Sequence, residues 1–178
     1  MILGIDPATK YSGIALIDDS VFPAKMEYTK LLASKWVGKN KHFKYFKFIE
    51  KEIGVLPKKT RVYIEKPIPY YKEGKVRNLK GYESHIEILT LWLLMLDFKG
   101  IGYTIVTPSE WQKTVGVKRR GTGLTSKEQV KNAVFRYFGL SSEKCRGWKF
   151  DQYDALGIAL FGYFQKDDVR KKLYSLWS

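Results

Sequence analysis

The chain has 178 residues, 44% hydrophobic and 28% charged, which is the composition of one globular domain spanning 1–178 with enough length to bury a core. Its 32 Lys plus Arg against 18 Asp plus Glu give a net charge of +14 and a pI near 9.7, an excess that a polyanionic partner relieves by counterion release. The single cysteine, Cys145, excludes an internal disulfide, and one Cys with two His argues against a Cys/His zinc centre. Met1 to Lys10 lacks a signal-peptide core, and the most apolar run, Ile88 to Leu96, is about half of what a bilayer span needs. A cytoplasmic protein with no membrane partner is expected. Because 15% of residues are aromatic, and aromatic rings stack on unpaired bases, nucleic acid ranks ahead of a merely basic surface.

Met1 to Ile5 predicts a buried strand ending at Asp6, and Tyr11 to Ile17 a second, closed by the turn residues Asp18-Asp19-Ser20. A third strand is expected within Lys25 to Val37. Phe43, Phe46, Ile49 and Ile53 recur at helical spacing in Asn40 to Ile53, with Gly54 as C-cap and Lys41, Lys44, Lys47 and Lys51 on the solvated side. Arg61 to Ile64 predicts a strand running into Glu65, stopped by Pro67 and Pro69 before a basic, aromatic loop reaching Lys80. Nine of the last eleven residues of the helix expected at Tyr82 to Leu96 are apolar, so it needs cover on more than one side: the sheet on one, a second subunit on another. A strand at Tyr103 to Val106 and a short helix from Pro108 through Trp111 precede a basic glycine-containing loop, Gly116 to Gly123. Thr125-Ser126-Lys127-Glu128 is a capping-box pattern opening a helix to Tyr137. Ser141 to Lys149 is a basic connection, and Asp151 to Gln165 the last main helix. Three leading strands followed by alternating strands and helices predict a mixed central α/β sheet flanked by helices.

Four carboxylates occupy positions suited to chemistry. Asp6 and Glu65 end strands, and Asp151 and Asp154 share one face at a helix start, followed by Ala155 and Gly157, which let that helix approach the sheet. Each also has an ordinary reading: Asp6 as a turn residue, Asp151 as a charge favoured by the helix dipole. Taken together they suit hard divalent cations, which take oxygen ligands, and two ions about 4 Å apart can activate water and stabilise the leaving oxygen of a phosphodiester.

Gly4-Ile5-Asp6-Pro7-Ala8-Thr9-Lys10-Tyr11-Ser12-Gly13 resembles the first-strand signature of the RuvC Holliday-junction resolvases. Ile64-Glu65-Lys66 resembles their second acidic motif. Trp111-Gln112-Lys113-Thr114-Val115-Gly116 and Ser126-Lys127-Glu128-Gln129-Val130 are similar to their basic segment and the helix after it. Asp151-Gln152-Tyr153-Asp154-Ala155-Leu156-Gly157-Ile158-Ala159 resembles their last motif. The motifs come in family order. The resemblance implies an RNase H-like fold, a homodimer, and Mg²⁺-dependent cutting of four-way or branched DNA, with Mn²⁺ as a substitute, two ions per site and paired nicks that leave 5′-phosphates. It implies metal-ligand roles for Asp6, Glu65, Asp151 and Asp154, and places Lys127 and Lys113 beside the scissile phosphate or along the DNA backbone. Ile68 stands where the family places a wedging Phe, so Tyr70 and Tyr71 are expected to take over the stacking. Gln112 stands at a usually basic position. With the long basic loop after Glu65, which includes Lys75 and Arg77, these departures resemble a bacteriophage-type resolvase.

Lys118, Arg119 and Arg120 lie in a loop that could cradle phosphates or be simply solvated; its proximity to Lys127 assigns it to DNA. His85 is expected buried and satisfied, His42 exposed, and neither catalytic. Trp36, Trp92, Trp111, Trp148 and Trp177 are expected in the core or an interface. Basic neighbours could lower the Cys145 thiol pKa, but no triad pattern surrounds it. Two alternatives share the same residues: a nuclease on RNA–DNA hybrids, and a non-catalytic module that binds branched DNA. The turn after Asp6 also loosely resembles phosphate loops of sugar-kinase-like ATPases, but the chain is too short for their second domain.

Overall fold

Side chains on a strand point alternately to its two faces, and here the alternation divides the apolar residues between two cores on either side of one sheet. The computed structural model describes residues 1–33, 41–72, 75–118 and 123–166, with the backbone alone at 33, 41, 70–72 and 75–77. The leading strands are β1 (Ile2–Asp6), β2 (Tyr11–Asp18) and β3 (Lys25–Ala33), followed by helix α1 (Lys41–Gly54) and strand β4 (Arg61–Glu65). Next come β5 (Tyr70–Lys72), β6 (Lys75–Arg77), α2 (Leu79–Phe98) and β7 (Tyr103–Val106). The chain continues through α3 (Pro108–Thr114), α4 (Ser126–Phe138) and α5 (Phe150–Phe164).

The main sheet has the order β3-β2-β1-β4-β7. The β1–β2 and β2–β3 pairs are antiparallel, and β1–β4 and β4–β7 are parallel. This is the mixed sheet expected from three leading strands followed by strands and helices in alternation. The segment read as a loop after Pro67 instead contains a two-stranded hairpin, β5 with β6, pairing Tyr70 with Arg77 and Lys72 with Lys75. The run Tyr70-Tyr71-Lys72 is too short and basic for its β-propensity to stand out from a loop.

Leu3, Ile5, Ile14, Leu16, Val62 and Ile64 project toward α1 and α2, where Ile49, Trp92, Met95 and Leu96 cover them. Ile2, Ala15, Ile17 and Tyr63 project the other way, against α5 and α4. Each fully buried Ile or Leu in such a core contributes roughly 2 kcal/mol. No helix among the described residues is long and apolar enough to cross a membrane.

Local signals set the helix ends. Thr125 Oγ1 accepts from the Glu128 N–H, and Glu128 Oε2 accepts from the Thr125 N–H, forming the expected capping box of α4. At α3, Glu110 Oε2 accepts from both the Thr107 N–H and its hydroxyl at 2.7 Å, with Pro108 in the first turn. Gly54 is the last helical residue of α1 rather than its cap. Helix α2 is longer than its apolar run, because the Asn78 side chain accepts from the Gly81 N–H and starts it at Leu79.

Two glycines seat α5 on the sheet. A Cβ on Gly4 would fall well inside 3.0 Å of the Ala155 carbonyl oxygen, and one on Gly13 equally close to that of Asp151. The far end of α5 is tied down by Asp19, whose carboxylate binds Lys166 at 2.9 Å, Arg61 at 2.9 Å and the Met1 ammonium at 2.5 Å. Burial pushes the Asp19 carboxyl up, but these three cations outweigh it and hold the group well below the usual carboxylate range.

Candidate active site

The parallel register that pairs Ile5 with Ile64 sets Asp6, the last residue of β1, beside Glu65, the last residue of β4. Asp6 pairs across β2 with Gly13, the residue whose bare Cα lets the first turn of α5 come close. That turn carries Asp151, and Asp154 follows it on the same helical face. The four carboxylates therefore come from three elements to the C-terminal ends of two adjacent central strands.

Each of the four has its pKa raised, and burial is the largest cause every time. Asp6 stands well above the ordinary range through burial, then through the charges of Glu65, Asp154 and Asp151, with Lys127 opposing. Glu65 is pushed up to about 7 by burial and by Asp154, against a hydrogen bond from Trp111 and the charge of Lys127. Asp154 is also pushed up to about 7 by burial, with Lys127 opposing and Asp151 adding. Burial raises Asp151, opposed by Lys127 and His85. Lys127, exposed on the first turn of α4, is thus the cation common to all four, and its ammonium lies 5.4 Å from the centre of the Phe150 ring.

Among the described residues, no group of three or more His, Cys, Asp and Glu side chains is arranged to hold a metal ion. The chemistry of the donor set nevertheless fits a hard cation: it is all oxygen, and four carboxylates share one lysine, so added positive charge would favour the ionised forms that burial, and for three of them neighbouring carboxylates, oppose.

The remaining expected residues fall in different places. Lys113 and Lys118 are exposed. Gln129 ties the Lys118 end of the basic loop to α4, accepting from the Lys118 N–H at 2.8 Å and donating to its carbonyl at 3.0 Å. Arg119 and Arg120 lie outside the described residues, as do Trp36, Trp177 and the side chains of Tyr70, Tyr71, Lys75 and Arg77. Ile68 is exposed in the loop after Glu65. Cys145 is buried, and burial pushes its thiol up despite the basic neighbours.

Three features around the site differ from the sequence expectations. Trp111 is in the core, as expected, but its indole Nε1–H also donates to Glu65 Oε2 at 2.6 Å. The available signal was that a buried indole needs an acceptor for its N–H. Gly157 makes room for the Trp111 ring rather than for the sheet: a Cβ there would meet Trp111 Cζ3 at 2.7 Å. His85 is half-buried, not buried and satisfied. It lies one turn beyond the apolar face of α2, toward Asp151, and has no hydrogen-bond partner among the described residues. Burial lowers its pKa, and Asp151 opposes this. His42 is exposed, as expected, and lies 3.4 Å from Glu87.

No protein-family model matches the chain, and no curated protein matches it in sequence. Solved structures do match. Thermus thermophilus RuvC, in complex with a Holliday junction substrate, is similar with a TM-score of 0.71 and 16% identity, covering 94% of this chain and 96% of that one. The fowlpox virus resolvase with its substrate Holliday junction DNA gives 0.56 and 13%, covering 93% and 100%. The yeast mitochondrial Holliday junction resolvase gives 0.60 and 10%, covering 96% and 82%. At such identities the likeness is one of fold, and the fold is the RNase H-like one that the sequence motifs imply.

Proposed function

We propose that the chain is a structure-specific endonuclease that hydrolyses phosphodiesters in four-way and other branched DNA. The observation that carries this reading is the convergence of Asp6, Glu65, Asp151 and Asp154 with Lys127, in a protein of net charge +14 whose fold is that of structures solved with junction DNA. A surface that attracts DNA and repels it at one acidic patch suits a site completed by cations.

Asp6, Glu65, Asp151 and Asp154 would hold Mg²⁺, or Mn²⁺ in its place. Bound there, the ions supply charge neutralisation at the scissile phosphate and a water of lowered pKa. Asp6 stands centrally, facing the other three. Lys127 is the exposed cation beside them and would bind a non-bridging phosphate oxygen, with Lys118, tied to α4 through Gln129, contacting the DNA backbone nearby. His42 and His85 have no step to perform. Nicks paired across a junction, each leaving a 5′-phosphate, need two such sites in a homodimer. The outer face of α2 supports that assembly, because Leu94 and Phe98 are 54% and 74% exposed on a helix whose inner face is fully buried.

The deciding experiment is cleavage of a labelled immobile four-way junction in Mg²⁺, beside a linear duplex and an RNA–DNA hybrid, with Asp6→Asn as the blank. Paired symmetric nicks in the junction, absent from a blank that still binds it, are expected. Cutting of the hybrid alone would replace the substrate, and binding without cutting in either metal would make the protein an architectural module.

A further inference from the structure

We infer that Trp111 is a positioning residue for Glu65: its indole N–H holds one carboxylate oxygen in place, so that the other is presented to the site in a fixed direction. This rests on the endonuclease reading above and deepens it.

The inference begins with the ring. Trp111 lies on the short helix α3, immediately after Glu110 and one turn after the N-cap Thr107, and is 1% exposed. Gly157 of α5 lies against its six-membered ring, and a Cβ there would come within 2.7 Å of Cζ3 and 3.5 Å of Val130 Cγ1 of α4. The indole is thus seated against α5, a helix that does not carry Glu65, within the buried cluster that also holds Val130, and this packing constrains its orientation apart from the hydrogen bond. From that seat Nε1–H donates to Glu65 Oε2 at 2.6 Å.

Glu65 is the last residue of β4, and Lys66 resumes pairing through its N–H to the Val106 carbonyl, so the backbone on both sides is fixed. What backbone pairing leaves free is rotation of the side chain, and Trp111 removes it. Glu65 Oε1 has no hydrogen-bond partner among the described residues. One oxygen is therefore tied and the other available. Partners that orient a ligating carboxylate in this way typically change metal affinity or activity by 10- to 100-fold when removed. A Trp suits the task because its donor is neutral: it orients the carboxylate without competing for it as a cation would.

The test uses the full chain. Trp111→Phe keeps an aromatic ring in the seat and removes the N–H. Expected are a 10- to 100-fold higher Mg²⁺ concentration for half-maximal junction cleavage, a matching loss in Mn²⁺ affinity by calorimetry without DNA, and unchanged junction affinity in chelator. A merely structural role would lower the melting temperature and the active fraction but leave the half-saturating metal concentration where it is, and that result overturns the inference. Should Trp111→Phe not fold, the wild type still decides. Its ¹⁵N-labelled Trp111 indole resonance, assigned by sequential connectivity, should move on titration with Mg²⁺. A wild-type enzyme that binds metal and cuts junctions with that resonance unmoved overturns the positioning role alone, whereas a wild type that neither binds metal nor cuts overturns the endonuclease reading itself.

Discussion

Gly13 of β2 lies directly against the Asp151 carbonyl at the start of α5, so close that there is no space for a Cβ between them. The distance between the strand half of the site, Asp6 and Glu65, and the helix half, Asp151 and Asp154, is therefore set by a missing methyl group. Gly13→Ala must push the first turn of α5 outward. Overpacking of this kind costs about 1–3 kcal/mol, and a displacement near 1 Å can lower a rate about 100-fold. We expect a lower melting temperature with a disproportionate loss of junction cleavage. Gly54→Ala is the control. Nothing lies within 4 Å of a Cβ there, it ends α1, and the substitution should stabilise by up to about 1 kcal/mol without touching cleavage. Equal losses in both variants would show that Gly13 does not set the site.

The raised carboxyl pKa values make a prediction about the metal-free protein. A carboxyl whose folded pKa exceeds its unfolded value favours folding at low pH, and that contribution is lost as pH rises through the folded value. Glu65 and Asp154 are pushed up to about 7, so their contribution is full below about 4 and gone above about 8. In chelator the melting temperature should therefore fall as pH rises from 5 to 8. Asp154→Asn should flatten the decline and raise stability at the alkaline end. Mg²⁺ should stabilise the wild type at the alkaline end far more than at the acid end, because the ion competes with protons. Parallel pH slopes for wild type and variant would contradict the assignment.

Behind the site, on the other face of the sheet, the Tyr45 hydroxyl meets Ser12 Oγ at 2.6 Å and accepts from Trp92 Nε1–H at 3.1 Å, all three residues being buried. Burial pushes this hydroxyl up to about 12; the two hydrogen bonds oppose that, and the nearby Asp6 charge adds to it. Tyr45→Phe would leave both the serine and the indole unpaired in a dry core, at about 1–3 kcal/mol for each group. Ser12→Ala should cost less, since Tyr45 still serves Trp92. In urea unfolding the double variant should lose less than the sum of the single ones. Junction cleavage by the folded fraction should change little, because the network makes no hydrogen bond to the carboxylates and is coupled to Asp6 only through its charge.

The strands, their alternation and the four carboxylates were legible because each rests on local pattern: period-two apolar residues, acids at strand ends, two acids three apart at a helix start. Strand register then brings Asp6 to Glu65 with no further information. What was not legible depends on neighbours distant in the chain. The hairpin Tyr70–Arg77 has little apolar alternation to announce it. Gly157 reads as room for the sheet until Trp111, a residue of another helix, is seen to fill it. His85 reads as core because it shares a face with Ile88 and Trp92, and periodicity along α2 does not say where the core stops and the acidic edge begins.

Lys127 allows two roles that one variant separates. It lowers the pKa of all four carboxylates, so it could serve the site purely as a counter-charge. In that case Lys127→Met leaves the acidic cluster less neutralised, and a divalent cation, no longer repelled by the ammonium, should bind as tightly as before or tighter. Cleavage at saturating Mg²⁺ would then stay near the wild-type rate. If instead the ammonium binds the scissile phosphate as charge develops on it, the same variant keeps its metal affinity and loses turnover. Removing one such donor typically costs about 100- to 1,000-fold. We expect the second outcome, since Lys127 is exposed and steadied over the Phe150 ring, and among the described residues it is ion-paired with no carboxylate. Single-turnover cleavage at saturating enzyme, beside Mn²⁺ calorimetry, measures both quantities. Unchanged turnover with tighter metal binding would reduce Lys127 to a counter-charge.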